Sequence, residues 1–297
     1  MKDESEINDS QGPFEPVAII GMSCIFPDSE NIDHFWQNIL SKHISFKEVP
    51  EDRWDPNDFY NEEGGKNKTY SKIGAFVEDY EFDWRRWRQP PGTLPQIDIC
   101  QQWAVSVSAS ALENAGYLGD GSSEPPRGKT SVIFANALGG ENRNLSNQRV
   151  WADRTLRLAK ESGLQDEETF LDEMTKGLPK IDEDTMPGEL ANVVAGRVAN
   201  LLDLQGPNYT TDAACASSMA AILDACRLLQ LRQIDLAIAG ASDRTMHPAT
   251  YSKFSAIGAL SATHSTPFDS RANGFVMGEG AGALVLKRLG DAISDGD

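Results

Sequence analysis

Thr210-Thr211-Asp212-Ala213-Ala214-Cys215-Ala216-Ser217-Ser218-Met219-Ala220 sets a single thiol among small residues, between a β-like run and a helix. Asn208 to Thr211 reads as a strand, and a helix is expected from about Ala216 to Leu231. Met219, Ile222, Leu223, Cys226 and Leu229 form the stripe that this helix is expected to bury. A cysteine at such a turn points at the helix N-terminus, where unpaired N–H groups and the helix dipole favour the thiolate. Its alanine and serine neighbours leave room for a second backbone or an acyl chain. The competing reading is structural, because free cysteine is among the most buried residue types and behaves as a small hydrophobe.

Working outward, strand and helix alternate, which places the chain in the α/β class. Val17 to Met22 is a continuous apolar run, the pattern of a strand covered on both faces. A helix follows from about Asn31 to Lys42, with Ile32, Phe35, Trp36 and Ile39 on one side. Residues 48 to 95 read as an irregular insertion rich in aromatics, prolines and glycines. Ile97, Cys100, Ala104, Val107, Ala111 and Ala115 recur at steps of three and four, so a helix should fill 95 to 116 and end at Gly116. Thr130 to Ala137 is a second buried strand. From Glu161 to Glu189 there are ten acids against two lysines, which marks 141 to 185 as a solvated helical face or lid. Pro187 to Leu202 is expected as one helix, with proline in its first turn and Gly206-Pro207 beyond its end. Leu236 to Ala241 and Ala283 to Leu289 complete the strands, with a loop-rich stretch between them.

Composition narrows the function. With 297 residues, 40% hydrophobic and 24% charged, the chain can bury a sizeable core. A net charge of −18 repels phosphate backbones and excludes nucleic acid as a partner. The four cysteines, Cys24, Cys100, Cys215 and Cys226, are too scattered for a disulfide framework, and no Cys-x-x-Cys pair points to zinc. Cys226 lies eleven residues beyond Cys215, about 16 Å along a helix and too far for a disulfide. Cys24 and Cys100 read as buried small residues. Residues 1 to 16 are polar and acidic, a loose, flexible lead-in rather than a signal peptide. No apolar run is long enough to span a membrane. The expected location is a reducing compartment, the cytoplasm.

Asp212-Ala213-Ala214-Cys215-Ala216-Ser217-Ser218 resembles the active-site segment of β-ketoacyl synthases, the condensing enzymes of fatty-acid and polyketide assembly. Three further segments agree in order and spacing. Ala18-Ile19-Ile20-Gly21-Met22-Ser23-Cys24-Ile25-Phe26-Pro27 is similar to the opening strand of these ketosynthases. Asn192-Val193-Val194-Ala195-Gly196-Arg197-Val198-Ala199-Asn200, followed by Gly206-Pro207, matches the helix before their active site. The segment from Pro267 to Gly282, which includes Asn273-Gly274-Phe275-Val276-Met277-Gly278-Glu279-Gly280-Ala281-Gly282, matches their glycine-rich signature. Gln96-Ile97-Asp98, Lys68-Thr69-Tyr70 and the stretch from Asp182 to Asn192 look closer to polyunsaturated fatty acid synthases and iterative type I polyketide synthases.

The resemblance implies a thiolase-like fold, layered α-β-α-β-α, built from two similar halves and dimeric when complete. Residues 17 to 297 are then mainly its N-terminal half. It also implies a reaction without cofactor or metal, on substrates held by the phosphopantetheine of an acyl carrier protein. Cys215 would be the acyl-thioester nucleophile, and its own N–H an oxyanion donor. Arg85, Arg86 and Arg88, or Arg149, Arg154 and Arg157, are candidates for docking the carrier protein; the plainer reading is exposed basic side chains.

The chain departs from the family pattern after Cys215, where only 82 residues remain. The family's two histidines, its lysine and its glutamate belong to a C-terminal half that is absent. His34, His43, His247 and His264 match no motif, and His247 and His264 read as loop residues. Asp269 and Arg271 are expected to form an ion pair that fixes the glycine-rich loop. Gly278-Glu279-Gly280-Ala281-Gly282 precedes a strand, so it reads as backbone close-packing rather than a dinucleotide loop. Two other functions stay open: a non-catalytic half-domain that dimerises or docks carrier protein, and another thiolase-fold enzyme acting on coenzyme A thioesters.

Overall fold

The computed structural model describes residues 15–119 and 121–297, so most of the expected lead-in, residues 1 to 14, lies outside the described residues. In chain order, β1 (Val17–Ile25) and α1 (Ile32–Ser41) precede an aromatic stretch. That stretch holds β2 (Lys47–Glu48), α2 (Pro56–Phe59) and β3 (Ile73–Ala75). Next come α3 (Ile99–Asn114), β4 (Thr130–Ala135), α4 (Asn142–Glu161), α5 (Glu167–Thr175), α6 (Thr185–Glu189) and α7 (Val193–Leu201). The remainder is β5 (Asn208–Thr211), α8 (Ser217–Gln230), β6 (Leu236–Asp243), α9 (Pro248–Ala256), β7 (Met277–Gly278), β8 (Gly280–Arg288) and α10 (Leu289–Asp295).

Five strands form the main sheet in the order β1-β8-β6-β4-β5, and β2, β3 and β7 form a small second sheet. β6, β4 and β5 run parallel, whereas β8 is antiparallel to both β1 and β6. All six residues of β4 are buried because the sheet is covered on both faces at its centre. On one face α3 and α7 pack against Val132, Phe134, Leu236 and Ile238. On the other, Ala221, Ala225 and Leu229 of α8 pack against Ile133, Ala135, Ala237 and Ala239. The aromatic stretch caps the outer side of α3: Tyr80 meets Trp103 edge-on at 6.1 Å, and Trp84 and Trp87 pack beside it. Enclosed this way, α3 buries ten residues around its whole circumference.

Three expectations need correction. β1 is not covered on both faces: it is an edge strand, and Ile19 and Met22 are 54% and 40% exposed. α3 shields one side of it, while on α1 Trp36 and Ile39 are about half exposed and Phe35 is 38% exposed. The stripe of α8 is also different. Its buried residues are Ser217, Ala221, Ala225 and Leu229, while Met219 is 66% and Leu223 49% exposed. Small side chains let α8 lie close on the sheet, where Leu229 is buried and Ile222 and Cys226 pack in part, while Met219 and Leu223 face away. Finally, the expected helix from Pro187 to Leu202 is two helices. In a continuous helix the carbonyls of Pro187 and Gly188 would accept from residues 191 and 192. Here Gln101 Nε2 donates to both, at 3.0 and 2.9 Å, and Asp98 N donates to Gly188 O at 2.9 Å.

Candidate active site

Cys215 sits on a single 3-10 turn, Ala214–Ala216, between β5 and α8. It therefore precedes the helix rather than opening it. Ala214 adopts a left-handed backbone, φ +50°, which costs a residue with a Cβ roughly 1–2 kcal/mol. Two side chains hold it there. Asp212 Oδ1 accepts from Ala214 N at 2.8 Å, and Ser217 Oγ accepts from Ala213 N at 2.8 Å while donating to Ala214 O at 2.6 Å. Ala214 N–H is thus used by Asp212, and Ala216 N–H donates to Ala213 O, leaving Cys215 N–H without a partner among the described residues.

Cys215 is the exposed member of the four cysteines, all of which are free. It opens into an apolar cavity of about 570 Å³. The opposing walls are the ends of three strands: Asn136–Ala137 after β4, Ser242–Asp243 of β6, and Gly280–Ala283 of β8. Met22, Phe26 and Phe35 close one side. Gly280 has φ +151°, and a Cβ there would meet Ile25 O at 2.6 Å, so the glycine-rich segment does serve close packing against β1. Cys24 lines the same cavity, where burial pushes its thiol up to about 11. Burial also raises the thiols of Cys100 and Cys226.

No histidine among the described residues lines the cavity beside Cys215, and its one carboxylate, Asp243, accepts from Thr245 N at 2.7 Å and Thr245 Oγ1 at 2.6 Å. His247 caps α9: its Nδ1 accepts from Ala249 N at 3.2 Å and its Nε2 lies 2.9 Å from Gln148. Burial, and then Lys253, hold its imidazole below the usual range. His264 bonds to Thr263 Oγ1 at 2.6 Å in a loop. Asp269 and Arg271 form the expected ion pair at 2.9 Å, and Arg271 pulls the Asp269 carboxyl down to about 2. Among the described residues no group of three His, Cys, Asp or Glu side chains could hold a metal ion. None of their helices is long and apolar enough to cross a membrane. Of the basic candidates, Arg86 is engaged by Glu113 at 2.6 Å, and Arg149 donates to Leu178 O at 3.0 Å. Arg85 and Arg154 are exposed and stack on Trp84 and Trp151.

One charged cluster behind the cavity was missed by sequence reasoning. Glu279, its side chain fully buried, accepts from Arg53 Nη2 at 2.6 Å and from Val77 N at 2.8 Å. Glu141 Oε2 lies 3.7 Å from Arg53 Nη1 and 3.4 Å from Arg244 Nε. Only Glu279 belongs to a motif quoted above; nothing in the local sequence marks the other three.

The family model described as "Beta-ketoacyl synthase, N-terminal domain" matches residues 14–292. This chain belongs to the β-ketoacyl synthase family. One polypeptide of the phenolphthiocerol/phthiocerol polyketide synthase of Mycobacterium tuberculosis is 34% identical to this ketosynthase chain over 287 residues. That match covers 95% of the chain and 17% of the relative. Another polypeptide of the same synthase is 32% identical over 295 residues, covering 95% of the chain and 14% of the relative. Among solved structures, an oxazolomycin ketosynthase domain from Streptomyces albus superposes with a TM-score of 0.76 at 26% identity. It covers 95% of this chain and 44% of that one. The ketosynthase from module 6 of the bacillaene synthase of Bacillus subtilis gives 0.72 at 26% identity, covering 94% and 41%. The ketosynthase chain therefore has the thiolase-like fold, and spans less than half the length of these relatives.

Proposed function

We propose that this ketosynthase chain forms the acyl-accepting part of a condensing enzyme of polyketide or fatty-acid assembly, with Cys215 as nucleophile. The observation that carries the reading is the strained turn that presents an exposed thiol, with an unused N–H, to an apolar cavity. In the first step the Cys215 thiolate attacks the carbonyl of an acyl thioester on a carrier protein. The phosphopantetheine thiol leaves, and Cys215 N–H faces the oxygen on which charge develops. In the second, malonyl on a carrier protein loses carbon dioxide. The resulting carbanion attacks the acyl-cysteine, the thiolate leaves, and a β-ketoacyl carrier protein is released. Decarboxylation drives carbon–carbon bond formation, so no cofactor is required, and a reducing cytoplasm keeps the thiol free.

The second step needs donors that this chain does not place at Cys215, since neither His247 nor His264 lines the cavity. The exposed apolar side chains of β1, α1 and α8 support a seat for the family's C-terminal half, which would bring the two histidines. The edge strand β5, which pairs with β4 alone among the described residues, supports dimerisation of the complete enzyme. Residues 1–297 alone should self-acylate slowly from an acyl thioester and give no β-ketoacyl product. Mass spectrometry of Cys215 and release of labelled carbon dioxide from malonyl carrier protein test this. Acylation that survives Cys215→Ala would refute the assignment, and condensation by residues 1–297 alone would refute the need for a second half.

A further inference from the structure

Each of the three wall segments of the Cys215 cavity leads to a charged side chain, buried at Glu279 and partly buried at Glu141 and Arg244. Ala137 is followed four residues later by Glu141, Asp243 by Arg244, and Gly280 is preceded by Glu279. Arg53, from the aromatic stretch, completes the cluster from outside the main sheet. Its contacts are uneven. Arg53 to Glu279 is a full hydrogen-bonded ion pair, whereas the contacts of Glu141 with Arg53 and Arg244, and of Arg244 with Glu279, stretch to 3.4–3.7 Å. Arg53 Nη1, Arg244 Nε and Glu279 Oε2 are sealed from solvent and make no hydrogen bond among the described residues. Such contacts are attractive but geometrically loose, so a small displacement of one wall can strengthen one pair at the expense of another.

We propose that Glu141 is a positioning residue for acyl selection at Cys215, drawing the β4 and β6 walls of the cavity together through Arg244 and Arg53. This rests on Cys215 being the acyl acceptor. Four charged groups face Glu141, each from a different segment: Arg53 from the aromatic stretch, Arg244 after β6, Glu279 before β8, and Asp98 at the cap of α3. Burial pushes the Glu141 carboxyl up to about 6; the two arginines oppose the rise, and Glu279 and Asp98 add to it. When Glu141 is ionised it pulls on both arginines. When it is protonated Arg244 keeps its contact with Glu279, and the loop from Ala137 to Glu141 stays tied to the β6 end at its start alone, where Asn136 Nδ2 donates to Ser242 O at 2.9 Å.

The test measures the rate at which iodoacetamide and N-octyl iodoacetamide label Cys215 in residues 1–297. The thiolate fraction cancels in their ratio, which then reports the cavity. The ratio should change about threefold or more between about pH 5 and 7.5, with its midpoint near 6. Glu141→Gln should hold it at the wild-type low-pH value throughout, and Glu141→Asp should restore part of the profile. A wild-type ratio that stays flat over this window, or a Glu141→Gln profile identical to wild type, overturns the proposal. If Glu141→Gln shows no cooperative melt, the wild-type profile alone decides. Failure of both reagents to label Cys215 would instead overturn its role as nucleophile and this proposal with it.

Discussion

Ser217 Oγ donates to the carbonyl of Ala214 at 2.6 Å, so the first residue of α8 fixes the left-handed residue beside Cys215. The same hydroxyl accepts from Ala213 N, which closes the turn on both sides of the strained position. Ser217→Ala removes the hydroxyl from both groups, which are exposed, and leaves Ala214 O the Ser217 N–H, so it should cost about 0.5–1.5 kcal/mol. Acyl transfer to Cys215 should slow by about tenfold or more, because the thiol and its N–H lose their fixed geometry. Thermal melts and acylation rates from one acyl thioester check the two effects separately.

Cys215 should be alkylated before Cys24, Cys100 and Cys226 at neutral pH. It is the exposed thiol, whereas burial holds Cys24 near 11 and raises the other two. With a pKa near 11, Cys24 is thiolate in about one molecule in ten thousand at pH 7. Brief labelling with iodoacetamide followed by peptide mapping gives the order. Early labelling of Cys24 would show that the cavity admits solvent far more deeply than the structure indicates.

Glu141 also predicts a pH dependence of stability. Its folded pKa of about 6 lies above the ordinary 4.5, so its contribution is fully present below about pH 4.5 and lost as pH rises through 6. A rise of that size corresponds to about 2 kcal/mol at pH 7.5. The stability of Glu141→Gln relative to wild type should therefore increase by up to about 2 kcal/mol between pH 4.5 and 7.5. Urea denaturation of both proteins at the two pH values measures the difference. An unchanged difference would mean that the carboxyl is solvated or the pairs are tighter than drawn.

Met219 and Leu223 project from α8 away from the sheet, and Ile19, Met22, Phe35 and Trp36 are exposed on β1 and α1. Residues 1–297 alone should bind a hydrophobic dye such as ANS and self-associate. Replacing Met219 and Leu223 by serine should reduce dye binding while changing stability by no more than about 0.5 kcal/mol. In a complete ketosynthase the same double variant should impair assembly. Dye fluorescence and light scattering compare the two settings.

The parts of the fold legible in the sequence are those decided by local pattern. β4 is apolar or small at every position, and α3 carries its core at steps of three and four. The Cys215 turn was legible because small residues separate a β-like run from a helix. What escaped depends on distant partners. The break between α6 and α7 is made by Gln101 and Asp98, and no residue near Leu190 announces it. Periodicity marks Met219 and Leu223 as one apolar face of α8 but does not say what covers it. Arg53, Glu141 and Arg244 are single charges in ordinary surroundings, joined by the fold alone.

β1 pairs with β8, so Val17 lies opposite Arg288 and Ile25 opposite Ala281. β1 thus waits for β8, the last of the described strands, before it has a strand neighbour, and this pairing closes a very long loop. Such closures carry a large entropic cost and form late, after the parallel core of β4, β5 and β6. During synthesis, α8 and the Cys215 turn can be docked while the β1 side of the cavity is still open. Of the features described, the cavity at Cys215 is then among the last to acquire its shape, and a nascent chain stopped before residue 280 would carry the thiol without the β8 wall that faces it.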